Sequence, residues 1–222
     1  MVHMRPEGAV VVDRRNSTSR LLLPSQPSPE AFAHPFLGLT AMVVAGWDAA
    51  PNYHAGSFVH GGKAWLIAAE SEAGKSSMLA WFATHGVDIL ADDLSIVRGG
   101  CVQAGPRCID LRESASAHFG IGEDVGVIGT RRRFRVALPP VTSEIPVGGW
   151  VRPRWGDRVE VNDLPAEERL RTMALMRGWV LLQPDPRTAL QLLALPALDF
   201  VRPHDWSSMD TAMTALLDRL PV

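Results

Sequence analysis

The chain has 222 residues, 22 of them basic and 24 acidic, for a net charge of −2. That length is enough for a single domain with a full hydrophobic core and no need of disulfides, and the balanced charge excludes a global field that would gather nucleic acid or anionic lipid. The two cysteines, Cys101 and Cys108, lack metal-ligand spacing and are expected as free thiols. The longest apolar run, Phe36 to Gly46, is too short to span a bilayer, and the N-terminus carries no secretory signal pattern. A cytoplasmic protein with no membrane and no nucleic-acid partner is expected.

Residues 1–53 read as an N-terminal β region. Ala9 to Asp13 and Arg20 to Leu23 are short apolar runs joined by the polar Arg14 to Ser19, a hairpin pattern, and Pro24 to Pro35 is a Pro/Ser-rich loop. Leu37 to Trp47 reads as a buried strand. Gly56 to Val59 and Lys63 to Ala69 are strands joined by a turn at Gly61-Gly62. After Lys75 a helix places Met78, Leu79 and Phe82 on one face, with Gly86 as its stop.

Short strands follow at 87–91, 94–97, 102–105 and 108–111, the second closed by Arg98-Gly99-Gly100. Gly120 to Thr130, rich in glycine, is predicted to be a mobile loop. Arg131 to Leu138 alternates as a strand with its basic residues outward, and Val147 to Val151 and Arg158 to Val161 form a last strand pair. Helices are expected over 165–178, 186–194 and 206–219. The division is therefore 1–53, a nucleotide-binding core at 54–162 and C-terminal helices at 163–222, all in one domain.

The chemistry concentrates between Ala69 and Asp93. The segment Ala69-Glu70-Ser71-Glu72-Ala73-Gly74-Lys75-Ser76, followed by Ser77, lies between a strand and a helix and approximates G-x-x-x-x-G-K-[ST]. Free N–H groups at a helix start can surround phosphates, Lys75 can reach their oxygens, and the Ser76 hydroxyl can ligate Mg²⁺. Asp92 and Asp93 close a second strand, expected as a parallel neighbour of the first, from which carboxylates can hold a metal or take a proton. Ala69 replaces the first glycine, where a positive φ would cost an L-residue about 1–2 kcal/mol. Glu72 puts a carboxylate in mid-loop, which is compatible with phosphate if it points to solvent or pairs with a cation.

Three elements in register resemble the catalytic domain of HPr kinase/phosphorylase, in the wider group with a phosphoenolpyruvate-carboxykinase-like P-loop fold. They are His54, two strands before the loop; the loop itself; and Leu90-Ala91-Asp92-Asp93 after the helix. Ile109-Asp110-Leu111-Arg112 has the shape of the family's acidic-x-arginine signature. The resemblance implies an α/β fold of mixed sheets with flanking helices and ATP and Mg²⁺ as cofactors. By the same resemblance Asp92 is the base, Asp93 assists the metal, Asp110 joins Ser76 and Asp93 as a metal ligand, Arg112 steadies the transferring group, and His54 is catalytic. It also implies a serine-type hydroxyl acceptor on a peptide or protein, and a homo-oligomer. The missing loop glycines leave open a binding or regulatory module without turnover, and a plain nucleotide hydrolase.

Outside that core the readings are plainer. Arg131 to Arg135 could meet acidic substrate groups or form a solvated strand face. Trp65 and Trp81 belong to the core, while Trp150 and Trp155, beside Gly and Arg, are candidates for a peptide groove.

Overall fold

Strands whose side chains alternate between two apolar layers form the centre of the molecule. In the computed structural model, which describes residues 2–4, 8–178 and 185–221, β1 (Val2–Met4), β2 (Gly8–Asp13) and β3 (Thr18–Leu22) make an antiparallel sheet. A helical turn α1 (Pro29–Ala31), capped by Ser28, leads through a wide turn at Phe32–Phe36 into α2 (Leu37–Trp47). The chain continues through β4 (Asn52–Tyr53), β5 (Ala55–His60), β6 (Lys63–Ala68), α3 (Lys75–Thr84), β7 (Ile89–Ala91), β8 (Ser95–Arg98) and β9 (Cys101–Gln103). It then forms β10 (Cys108–Leu111), α4 (Glu113–Phe119), β11 (Glu123–Ile128), β12 (Arg131–Ala137), β13 (Glu144–Trp155) and β14 (Glu160–Asp163). Helices α5 (Ala166–Met176) and α6 (Pro186–Ala194), strand β15 (Ala197–Arg202) and helix α7 (Met209–Arg219) complete it. This is a mixed α/β architecture of several sheets with flanking helices.

The main sheet has nine strands, with β13 near its middle. The N-terminal end of β13 pairs antiparallel with β9, and its later residues pair in parallel with β6 on one side and β15 on the other. Alternation divides the core between the two faces. Trp65, Ile67, Val151, Leu198 and Phe200 pack against α3 and α7, where the Trp81 indole N–H donates to Asp210 Oδ1 at 2.7 Å. Leu66, Ala68, Trp150 and Ala197 pack against Met173, Met176 and Leu192 of α5 and α6.

The topology positions the site. Strands β6, β13 and β15 run in one direction, so the chain leaves all three at the same edge of the sheet. Strand β5 is antiparallel to both β6 and β7, so β7 also ends at that edge and β5 begins there. The crevice beyond the carboxyl ends of parallel strands is where α/β folds bind ligands.

Several expectations are corrected. Leu37–Trp47 is a helix rather than a strand; an apolar run rich in Ala, Gly, Leu and Met has no periodicity that separates a buried helix from a buried strand, and its length suits a helix. Glu123–Ile128 is a strand paired with β12 rather than part of a mobile loop, with an irregularity between Asp124 and Val127 that absorbs its glycine. Strand β7 is not a neighbour of β6, because β5 lies between them. β14 pairs with β15, not with the Val147–Val151 segment, and β15 itself, hidden between two helical patterns, was not anticipated.

Candidate functional site

The loop after β6 makes two left-handed turns, and they fall at Glu72 (φ 72°) and Gly74 (φ 81°). Ala69 is not left-handed, so an alanine there carries no such strain. The demanding non-glycine position is Glu72, whose backbone is held by the Trp155 indole donating to its carbonyl at 3.0 Å. Its carboxylate accepts from Arg112 Nη2 at 2.9 Å, and that contact lowers its pKa. The first bond of α3 runs from the Met78 N–H to the Gly74 carbonyl at 3.0 Å, which leaves the N–H groups of Lys75, Ser76 and Ser77 without partners within the helix.

Lys75 points back under the loop into a nest of acceptors. Its Nζ donates to the Asp92 carbonyl at 2.8 Å, contacts Asp92 Oδ1 at 3.4 Å and touches Asp93 Oδ1. Burial pulls its pKa down, but the charges of Asp92 and Asp93 outweigh that and raise it. The two carboxyls move in opposite directions. Burial raises Asp92, with Lys75 offsetting only part. Asp93 is also penalised by burial, yet the His34 imidazole beside it, 3.2 Å away, and the Lys75 charge hold it well below the carboxylate range. Gly56 lets β5 press against this nest, since a Cβ there would meet the Asp92 carbonyl oxygen at 2.9 Å and Lys75 Cδ at 3.3 Å.

The structure divides the two aspartates by access. Asp92 is 6% exposed and its Oδ2 accepts the Asp110 N–H at 3.2 Å, whereas the side chain of Asp93 is 36% exposed and stands on the wall of the cleft. Asp93, rather than Asp92, is therefore the carboxylate that a ligand in the cleft can touch.

Asp110 is buried and its carboxylate is clasped by arginine. In the antiparallel register it sits opposite Arg135, whose Nε and Nη2 donate to its two oxygens at 2.7 and 2.8 Å, with Arg133 Nη1 at 3.3 Å. Both oxygens are thus engaged, an arrangement unsuited to the metal-ligand role expected for this residue. Nor are the arginines of β12 a purely solvated face. Arg133 and Arg135 turn to Asp110, Arg132 Nε binds Asp124 Oδ2 at 3.0 Å, and Arg131 approaches Glu72 at 3.9 Å.

The sequence reading missed His34. Held extended in the wide turn (φ −151°, ψ 122°), it places Nε2 3.2 Å from Asp93 Oδ2 and 3.9 Å from Asp110 Oδ2. Arg135 fastens this segment by donating to the Glu30 and His34 carbonyls at 2.6 and 3.2 Å. Ligand atoms of His34, Asp92 and Asp93 lie within 4.8 Å of one another, close enough to share a cation. His54 is exposed on the cleft wall, its N–H bonded to the Met176 carbonyl at 2.7 Å, and it has no described contact with the aspartates. No sequence signal marked His34, which lies in a Pro/Ser-rich stretch far from the motif.

The loop, Asp93 and His54 line one cleft of about 1210 Å³. One wall is the loop from Glu70 to Ser77 with Asp93; another is Arg112 and Arg131 to Arg133; the third is Arg152, Arg154, Trp155 and Arg171. On that third wall Asp199 accepts from Arg152 Nε at 2.8 Å and from Arg154 Nη2 at 2.5 Å. Trp155 lines the cleft as expected, whereas Trp150 is 2% exposed and belongs to the core, its indole N–H bonded to the Leu192 carbonyl at 3.0 Å.

No protein-family model matches the chain, and no curated protein is similar to it in sequence. Among solved structures it is similar to the Hpr(Ser) kinase/phosphatase from Coxiella burnetii, at 12% identity and a TM-score of 0.36, over 75% of this chain and 94% of that one. No helix among the described residues is long and apolar enough to cross a membrane.

Proposed function

We propose that the cleft binds ATP with Mg²⁺ and that the protein is a kinase passing the γ-phosphoryl group to a hydroxyl, serine-type, of a peptide or protein. One observation carries the reading: at a single sheet edge, a helix start with unpartnered N–H groups meets a buried lysine and a cleft-facing aspartate that touch each other. The donor set fits the cofactors. The N–H groups of 75–77 and the Lys75 ammonium suit phosphate oxygens, and the Ser76 hydroxyl and the cleft-facing Asp93 carboxylate are hard oxygen donors of the kind Mg²⁺ takes. When bound, the nucleotide supplies the phosphoryl group and the metal neutralises its charge.

The chain's own residues divide the remaining work. Lys75 balances negative charge whether it faces the aspartates or a phosphate. Asp93 orients the acceptor hydroxyl and receives its proton, a modest demand because phosphoryl transfer asks mainly for positioning and charge stabilisation. His34 fixes the rotamer of Asp93, and Asp110 serves as the anchor of Arg135 rather than as a ligand. The exposed guanidinium of Arg171 suits an acceptor with an acidic residue near its hydroxyl. Two free cysteines suit a reducing cytoplasm.

A second reading, a nucleotide-binding regulatory module without turnover, is favoured by the Glu72 carboxylate in the loop. Its pairing with Arg112 weighs against that reading, because the charge is turned aside.

Calorimetric titration with ATP, with and without Mg²⁺, followed by incubation of γ-labelled ATP with serine-containing acidic peptides, tests the proposal. Mg²⁺-dependent binding and label in the peptide, both lost in Lys75→Ala, are expected. No binding at millimolar ATP would overturn the nucleotide reading, and binding without label in any acceptor would favour the module.

A further inference from the structure

Strand β15 ends on a buried guanidinium that has no counter-ion among the described residues. Arg202 is 3% exposed, and its Nε has no hydrogen-bond partner. Its Nη2 donates to the carbonyls of Ala73 and Gly74 at 3.4 and 3.3 Å. The guanidinium lies 4.0 Å over the Trp155 ring, and the same indole donates to the carbonyl of Glu72. Trp155 and Arg202 are register partners at the ends of parallel β13 and β15.

Three successive carbonyls, those of Glu72, Ala73 and Gly74, are therefore gripped from one side by two side chains of the sheet edge. The fit is close: a Cβ on Gly74 would meet Arg202 Nη2 at 2.2 Å and Trp155 at 2.8 Å. The Ala73 N–H closes the loop on the Glu70 carbonyl at 3.3 Å; because the C=O and N–H of a planar trans peptide point in opposite directions, holding the Ala73 and Gly74 carbonyls toward Arg202 turns the N–H groups of Gly74 and Lys75 the other way. Successive N–H groups so aimed form a nest for an anion.

The charge itself calls for a partner. Arg135 and Arg152, partly buried nearby, each bind a carboxylate; the more deeply buried Arg202 has only neutral carbonyls and aromatic faces. Burial pulls its pKa down to about 10. A buried cation of this kind is costly in the protein alone, and an anion on the far side of a single loop offsets that cost.

We infer that Arg202, braced by Trp155, is a positioning residue of a polyphosphate site: it sets the peptide orientation of the loop at 72–74 and supplies the counter-charge for phosphate bound on the loop's N–H side. The inference rests on the nucleotide reading and assigns to its site a residue far from the loop in sequence.

Arg202→Met and Arg202→Lys, in the full chain, test it by titration with inorganic tripolyphosphate and with ATP, and by thermal melts with and without tripolyphosphate. Arg202→Met is expected to bind tripolyphosphate at least about tenfold more weakly, with Arg202→Lys between it and wild type. Without ligand the Met variant should melt no lower than wild type, since a costly charge has gone, and its ligand-induced rise in melting temperature should shrink in step with the lost affinity. A purely structural strut predicts the reverse, a lower melting temperature with unchanged affinity, and that result would overturn the inference. So would a Met variant that fails to fold together with a Lys variant of wild-type affinity. If the wild-type chain binds neither ligand, the nucleotide reading falls and this inference with it. If wild type and Arg202→Met bind alike, only the role of Arg202 falls.

Discussion

The ammonium of Lys75 touches the carboxylate of Asp93, donates to the Asp92 carbonyl at 2.8 Å and stands 3.4 Å from the Asp92 carboxylate. One buried cation therefore separates two adjacent acids. Lys75→Ala should abolish phosphoryl transfer and also destabilise the fold by about 3–5 kcal/mol, because both carboxylates are left without their cation. Chemical denaturation at neutral pH checks the second part; wild-type stability in the variant would show that Lys75 does not hold the pair together.

Glu72 carries a left-handed backbone that glycine adopts freely. Glu72→Gly should stabilise the chain by up to about 1 kcal/mol and tighten ATP binding, since a carboxylate leaves the loop. Loss of stability in a urea titration would mean that the contact with Arg112 matters more than the backbone.

Arg135 ties the N-terminal segment to the site through Asp110. Arg135→Met should cost about 3 kcal/mol, the lower part of the range for a broken buried pair, because Arg133 still reaches Asp110. It should also open residues 28–36 to limited proteolysis in the folded state. A segment as resistant as in wild type would show that other contacts hold it.

Asp199 gives the third wall an acid-sensitive joint. Burial pushes its pKa up, but Arg154 and Arg152 outweigh that and lower it. With the folded value below the unfolded one, its contribution is complete above about pH 4 and is lost as pH falls toward the folded value. Asp199→Asn should lose stability at neutral pH and show a shallower acid limb than wild type. Parallel curves of stability against pH for the two proteins would refute this assignment.

Gly56 leaves no room beside the aspartates. Gly56→Ala should cost about 1–3 kcal/mol by overpacking and reduce turnover further than that loss of stability explains, since the methyl group presses on the Asp92 backbone and on Lys75. Turnover reduced only in proportion to the folded fraction would place the effect in the fold alone.

Much of the site was legible because its pieces are local. A strand, a loop, a lysine at a helix start and an Asp pair lie close together in the chain. What escaped depends on pairings between distant segments. His34 comes beside Asp93 across about sixty residues of chain, with Arg135 binding both the His34 carbonyl and Asp110. Arg202 and Trp155 meet the loop only because β13 and β15 run parallel to β6, and β15 was hidden between two helices. The α2 run misled for a different reason: evenly apolar sequence has no face, and so no period to read. Asp110 illustrates a further limit, since its carboxyl looked free for a metal until the register placed Arg135 opposite.

The tether from Arg135 to the Glu30 and His34 carbonyls also bears on how this protein could be shortened or rebuilt. The motif-bearing stretch looks like a portable cassette that could be cut out just before β4 and grafted elsewhere. Such an excision would remove the imidazole beside Asp93, leave Arg135 with two unanswered donors, and uncover the buried side of Asp110. The segment at 30–34 thus braces the acidic centre of the site from behind the cleft, and an inventory of its parts that starts at the loop would be incomplete.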